Sequence, residues 1–131
     1  MKIIIPRRLP SINHVYFQKG FRKFIKPEGK ELRNFIIELI RNDYLKNKQE
    51  IESFCVPLDV KLEVYENWLT KKGEVKRVDL DNRAKFGLDS VFEGLQLDDK
   101  YIYKLTLLKV QSKTEKSIVY IEKLKGDTNG I

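Results

Sequence analysis

Asp79 and Asp81 are the residues whose type and spacing first suggest chemistry. In an extended segment, side chains two positions apart leave the chain on the same side. Two carboxylates placed that way repel unless a cation lies between them, and oxygen donors of this kind suit hard ions such as Mg²⁺ or Mn²⁺. The plain alternative is structural, with Asp81 as the N-cap of a following helix and Asp79 as a solvated strand residue. Four-residue steps then connect Asp81 to Lys85 and Asp89 along one side of a helix start. A lysine beside such carboxylates can meet a phosphate oxygen, offset transition-state charge or protonate a leaving oxygen. It can equally be half of an ordinary surface pair with Asp89. Leu97-Asp98-Asp99 follows the helix. Consecutive aspartates are common turn residues, yet a crossover helix would return this segment beside Asp79 and Asp81. Neighbouring side chains diverge in extended backbone, so one of the pair is expected to complete a three-carboxylate site.

The elements that must hold these residues follow from periodicity. Lys2–Ile5 reads as a short strand stopped by Pro6, and Arg7–His14 as a proline-punctuated loop. Phe21–Ile25 is a second short strand. Pro27 and Glu28 open a helix whose apolar face is Leu32, Phe35, Ile36, Leu39 and Ile40, running to about Asn47. Val56, Leu58, Val60, Leu62 and Val64 alternate with polar residues, the period of a half-buried strand. A loop from Asn67 to Gly73 leads into a returning strand, Val75–Leu80. The second helix is expected over Asn82–Glu93, with Ala84, Leu88, Val91 and Leu95 inward and Gly94 as its stop. Tyr101–Val110 and Ser117–Leu124 are joined by a polar stretch and read as a hairpin. The order predicts an α+β domain over residues 1–125, a small mixed or antiparallel sheet with two main helices packed on it, followed by a loose tail over 126–131.

Composition narrows the function classes. A length of 131 residues with 41% hydrophobic content suits one core without disulfides or structural metal. Cys55 is unpaired and reads as a small buried apolar residue in a reducing compartment. Neither a signal peptide nor a membrane span is visible, and a cytoplasmic location is expected. The 26 lysines and arginines exceed the 19 acids, for a net charge of +7, which favours nucleic acid as partner. Acid concentrated between Asp79 and Asp99 within so basic a chain calls for a reason.

The string Asp79-Leu80-Asp81-Asn82, with Lys85, Asp89 and then Leu97-Asp98-Asp99, resembles the RusA-type Holliday junction resolvases. Leu9-Pro10-Ser11-Ile12-Asn13-His14 resembles that family's Pro-Ser-x-Asn-His segment, and the similarity in order and spacing runs from about Ile4 to the last strand. The resemblance implies a small α/β (α+β) domain that dimerises and cuts four-way DNA junctions by symmetrical, Mg²⁺-dependent nicks. It places the catalytic and metal-binding acids on Asp79, Asp81 and Asp99, the catalytic lysine on Lys85, and a lesser role on Asp98. One departure stands out. Family members carry arginines directly before the first aspartate, whereas here Val78 separates Lys76-Arg77 from Asp79.

From this follows an expected mechanism in which one or two Mg²⁺ ions, with Mn²⁺ as substitute, meet the scissile phosphate while Lys85 stabilises charge or donates a proton. Arg7, Arg8, Asn13, Lys76, Arg77 and Arg83 are the expected DNA contacts, with Lys19, Arg22, Lys23, Lys71 and Lys72 as further candidates. His14 could shape the site but is a poor Mg²⁺ ligand. Tyr16, Phe17 and Trp68 read as core or interface residues, with stacking on an opened junction as the lesser use. A homodimer would give two opposed cuts, its surface supplied by the Ile36–Ile40 helix or the Tyr101–Val110 strand. Two rival readings remain: a non-catalytic basic module gripping RNA or DNA, and a metal nuclease acting on flaps, forks or other branches.

Overall fold

The computed structural model describes residues 1–43 and 45–126. The expected tail lies outside the described residues from position 127 onward. Along the chain run β1 (Lys2–Ile5), α1 (Ile12–Val15), β2 (Tyr16–Lys19), β3 (Arg22–Ile25), α2 (Pro27–Asp43), α3 (Lys48–Glu52), β4 (Leu58–Glu66), α4 (Leu80–Leu95), β5 (Ile102–Gln111) and β6 (Lys116–Lys123). Short 3₁₀ turns occupy Leu45–Asn47 and Asp99–Tyr101. The α+β class is as expected.

β4 is the axis of a four-stranded mixed sheet ordered β1-β6-β4-β5. Its even-numbered residues, Leu58 to Glu66, all face inward, as the alternation predicts. β5 runs parallel to β4 and β6 antiparallel to it, so α4 is the crossover of a β4-α4-β5 unit. That crossover delivers Asp99, at the entry to β5, to the Leu58 end of the sheet, opposite the Glu66 end from which α4 departs.

The core lies between the inner sheet face and α2 and α4: Ile3, Ile5, Val60, Leu62 and Ile121 meet Ile36, Ile40, Val91 and Leu95. Leu32, Ile36 and Ile40 of α2 are buried, and Phe35 and Leu39 are partly covered. The four inward residues named for the second helix are all buried.

Several expectations are corrected. β5 and β6 do not pair as a hairpin, because β4 lies between them. A polar connection fits a hairpin or a longer return equally, and β4, apolar along its inward face, wins the central place. No strand forms over Val75–Leu80: Val75 makes one isolated bridge to Leu69, and helix starts at Leu80. The helix thus begins two residues early, with Asp79 and not Asp81 at the N-cap. Gly94 does not stop it. A side chain there would meet Ile40 Cδ1 at 3.0 Å and the Ile37 backbone at 3.3 Å, so this glycine serves close helix contact. Gln96 ends the helix instead, in left-handed backbone at φ 55°. α2 stops at Asp43, and α3 was unforeseen. The Arg7–His14 loop contains most of α1, and Phe21–Ile25 narrows to β3, paired with an unforeseen β2. Cys55 is exposed, not buried. No helix among the described residues is long and apolar enough to cross a membrane.

Candidate active site

Helix α4 is enclosed on nearly every side. Its exposed residues are Asp81, Lys85, Asp89 and Glu93, one every four positions. A helix repeats its direction closely enough at that interval for the four to form a single charged stripe. The apolar remainder fixes the stripe's orientation: turning the helix would expose Phe86, Val91 and Phe92, each worth roughly 1.5–3 kcal/mol of burial. Asp81, in the first turn, stands at the positive end of the helix dipole.

Asp99 lies beside this stripe, close enough to repel Asp89. Partial desolvation of the exposed Asp89 side chain's carboxyl by its neighbours, the largest influence, pushes it above its ordinary value; Lys85 pulls it down, Asp99 pushes it up, Arg33 pulls it down and Glu93 pushes it up. The folded chain therefore holds the Asp89 proton more tightly than the unfolded chain. Stability linked to that proton is lost as pH rises from the ordinary carboxyl value towards the raised one. Asp89→Asn should accordingly melt at a higher temperature than the parent at neutral pH. The gain should vanish in acid below the ordinary value of 3.8. Thermal melts over a pH series check this, and a difference independent of pH would contradict it.

Asp98 has a different task. Its Oδ1 accepts from Lys100 N–H at 2.9 Å, capping the 3₁₀ turn. The turn chemistry of Asp98 leaves Asp99 as the member of the pair whose carboxylate is uncommitted among the described residues.

Asp79 faces elsewhere, into an open cleft of about 500 Å³ lined by Arg8, Pro10, Ser11, Asn13, His14, Arg77, Val78, Asn82 and Arg83. Asn82 Nδ2 donates to Asp79 Oδ2 at 3.4 Å, steadying the carboxylate. The extended geometry that would aim Asp79 and Asp81 to one side is absent, because Leu80 is already helical. The cleft is basic, and Val78 lines it without excluding Arg77, so the inserted valine leaves an arginine beside Asp79 after all.

Below the cleft lies a feature that sequence reasoning missed. Glu66 is 3% exposed and Arg83 5%. Arg83 Nη1 donates to Glu66 Oε1 at 2.6 Å and to the Leu9 carbonyl at 2.8 Å. Arg8 lies 3.6 Å from the other Glu66 oxygen and 3.4 Å from Glu115. Arg83, expected to contact DNA, thus has its guanidinium committed to fastening the start of α4 to the Leu9 loop and the end of β4. A signal existed in the sequence: Glu66 falls on the inward parity of β4, where a carboxylate needs a cationic partner.

The other expected DNA contacts are dispersed. Arg7 lies against Glu31 and over the Phe35 ring, and Lys76 Nζ donates to the Asn67 carbonyl. Arg8, Asn13 and Arg77 line the cleft, joined there by His14 and Ser11. Lys71 and Lys72 are exposed in the turn between Leu69 and Val75. Trp68 is buried, its Nε1 donating to the Val64 carbonyl at 3.1 Å.

Among the described residues, no three His, Cys, Asp or Glu side chains converge closely enough to hold a metal ion. The expected cage of Asp79, Asp81 and Asp99 is therefore not preformed. The donors remain hard oxygens, and Mg²⁺ is commonly held by one or two carboxylates, with waters and a substrate phosphate filling the other positions. Carboxylates of this kind would suit such an ion.

The family model described as endodeoxyribonuclease RusA matches residues 7–122. The chain belongs to the RusA endodeoxyribonuclease family. The match takes in the cleft, the α4 stripe and Asp99, leaving out β1. No curated protein matches the chain. Within the RusA frame, the division of labour is clear: Glu66 and Arg83 fix the helix, Asp98 caps a turn, and Asp79, Asp81, Lys85 and Asp99 keep their polar groups towards solvent or cleft.

Proposed function

We propose that this chain is a Mg²⁺-dependent endonuclease that resolves four-way DNA junctions by paired nicks, acting as a homodimer in recombination and repair. The observation that carries the reading is the α4 stripe: an otherwise enclosed helix presents only Asp81, Lys85, Asp89 and Glu93, beside a basic cleft holding Asp79. Membership of an endodeoxyribonuclease family supports the same chemistry.

Bound at these carboxylates, Mg²⁺ would lower the pKa of a water and offset charge at phosphorus. The chain's own residues supply the rest. Arg8 and Arg77 hold the DNA backbone in the cleft, and Asn82 keeps Asp79 in place. As water attacks phosphorus and the bond to the 3′ oxygen breaks, Lys85 can steady the charge or protonate that oxygen. For the dimer, Ile36 and Ile40 are fully buried, so α2 could offer a partner its outer face, where Asn34, Glu38 and Arg41 are exposed. β5 supports the role better: it is a sheet edge, with Tyr103, Leu105 and Leu108 exposed. The absence of a preformed three-acid cage favours a second reading, a basic module that binds without cutting.

The decisive experiment offers four-way, three-way, flap and linear DNA of one sequence, with Mg²⁺, Mn²⁺ or chelator. Symmetrical nicks confined to the four-way substrate and dependent on metal are the expected result. Binding without any cutting would establish the module, and preferential cutting of flaps or three-way branches would redirect the substrate.

A further inference from the structure

The hairpin β2–β3 places its most exposed apolar group where folding gains nothing from it. Gly20 and Phe21 form the two-residue tip, with Lys19 opposite Arg22 and Gly20 supplying the left-handed backbone at φ 65°. Phe21 is fully exposed. Turn tips favour Gly, Asn and Asp, so a phenyl ring there has no local conformational reason.

One face of this ribbon belongs to the body of the protein. Tyr16 and Ile25 lie on it: Tyr16 hydrogen-bonds Arg33 of α2, and Ile25 lies against Gly29, where no side chain would fit. The hairpin's root is closed by Lys26 N–H donating to the Val15 carbonyl at 2.6 Å. The opposite face carries Phe17 and Phe24, partly exposed and stacked with ring centroids 5.4 Å apart, and beyond them Lys19 and Arg22. Among the described residues, Lys19, Arg22 and Lys23 make no ion pair, although Lys23 lies over the Tyr16 ring. The chain entering β2 is α1, whose Asn13 and His14 line the cleft with Asp79. An anchored ribbon with a free aromatic face and tip therefore rises from the wall of the candidate active site.

We propose that this hairpin is a branch-point wedge, with Phe21 stacking on an unpaired or splayed base while Lys19, Arg22 and Lys23 hold the flanking phosphates. The proposal rests on the branched-DNA reading above. Charge complementarity selects the occupant: Lys19 and Arg22 on the aromatic face, with Lys23 across the ribbon over Tyr16, match a base flanked by phosphates, and every base offers a ring face for stacking. A branch point supplies unstacked bases and a continuous duplex does not. The hairpin thus separates branched from linear DNA, a discrimination that cations alone would not give.

The test measures binding of the full chain in chelator, at one salt concentration, to a four-way junction and to a linear duplex of the same sequence. Phe21→Ala should weaken junction binding about tenfold, within the range for losing one base–aromatic stack, and leave duplex binding within about twofold. Phe21→Trp should restore junction binding, and its added fluorescence should be quenched by the junction but not by the duplex. Unchanged junction affinity in Phe21→Ala overturns the wedge, as does an equal loss on both DNAs. A lowered melting temperature in that variant also overturns it, since the ring would then serve the fold. A parent chain that cuts junctions while Phe21→Ala binds them normally loses the wedge and keeps the nuclease. A parent that neither binds nor cuts branched DNA loses both.

Discussion

Asp81→Asn should reduce metal-dependent cutting of a four-way junction by roughly a hundredfold or more, the scale on which removing one charge-stabilising group acts. Junction binding in chelator should hold or tighten slightly, because an anion facing phosphate has gone. The substitution suits the question because Asp81 makes no hydrogen bond or ion pair among the described residues and is exposed. Its contribution to the fold is confined to the helix dipole, about 0.3–1 kcal/mol, so the variant should fold. Single-turnover cleavage with Mg²⁺, alongside gel-shift binding without it, checks both halves. Unchanged cutting would remove Asp81 from the reaction, and loss of binding in step with cutting would make it a recognition residue.

The largest expected effect on stability lies beneath the cleft. Glu66→Ala leaves the Arg83 guanidinium buried with the Leu9 carbonyl as its remaining hydrogen-bond partner. Uncovering one member of a buried ion pair costs about 3–5 kcal/mol, a large part of the 5–15 kcal/mol typical of a folded domain. Replacing both charges, as Glu66→Leu with Arg83→Met, should recover most of the loss, since two apolar groups leave no orphaned charge. Denaturant unfolding of the two single variants and the double variant measures the coupling. A Glu66→Ala loss below about 1 kcal/mol would show that water reaches the guanidinium. The pair also ties α4 to the Leu9 loop, so the double variant should keep the fold better than it keeps cutting.

Much of the scaffold was legible because its periodicities are strong. Leu32, Ile36 and Ile40 mark a helix face, and Leu58 to Val64 alternate without a break. What sequence could not decide was which element sits beside which. Two strands with a polar connection look like a hairpin until a third strand competes for the same edge, and β4 took that place. The Val75–Leu80 strand failed for a related reason, since helix α4 claims Leu80 and Val75 finds only Leu69. At the site, the Asp81–Lys85–Asp89 spacing became one exposed stripe because helical geometry is local. The link between Arg83 and Glu66 spans seventeen positions and two elements. Reading Arg83 as a DNA contact followed its charge. Its burial is decided by the partner across the core.

The strand order carries a consequence for how the molecule is made. Among the described residues β1 pairs with β6, and β6 also fills the gap beside β4. While the chain emerges vectorially from the ribosome, the β1–β6 ladder cannot form until residues 116–123 have appeared. Such distant pairings belong to slow-folding topologies. The sheet under the acidic stripe is consequently completed only once β6 is in place, and a fragment lacking β6 keeps the β4–β5 pair without β1.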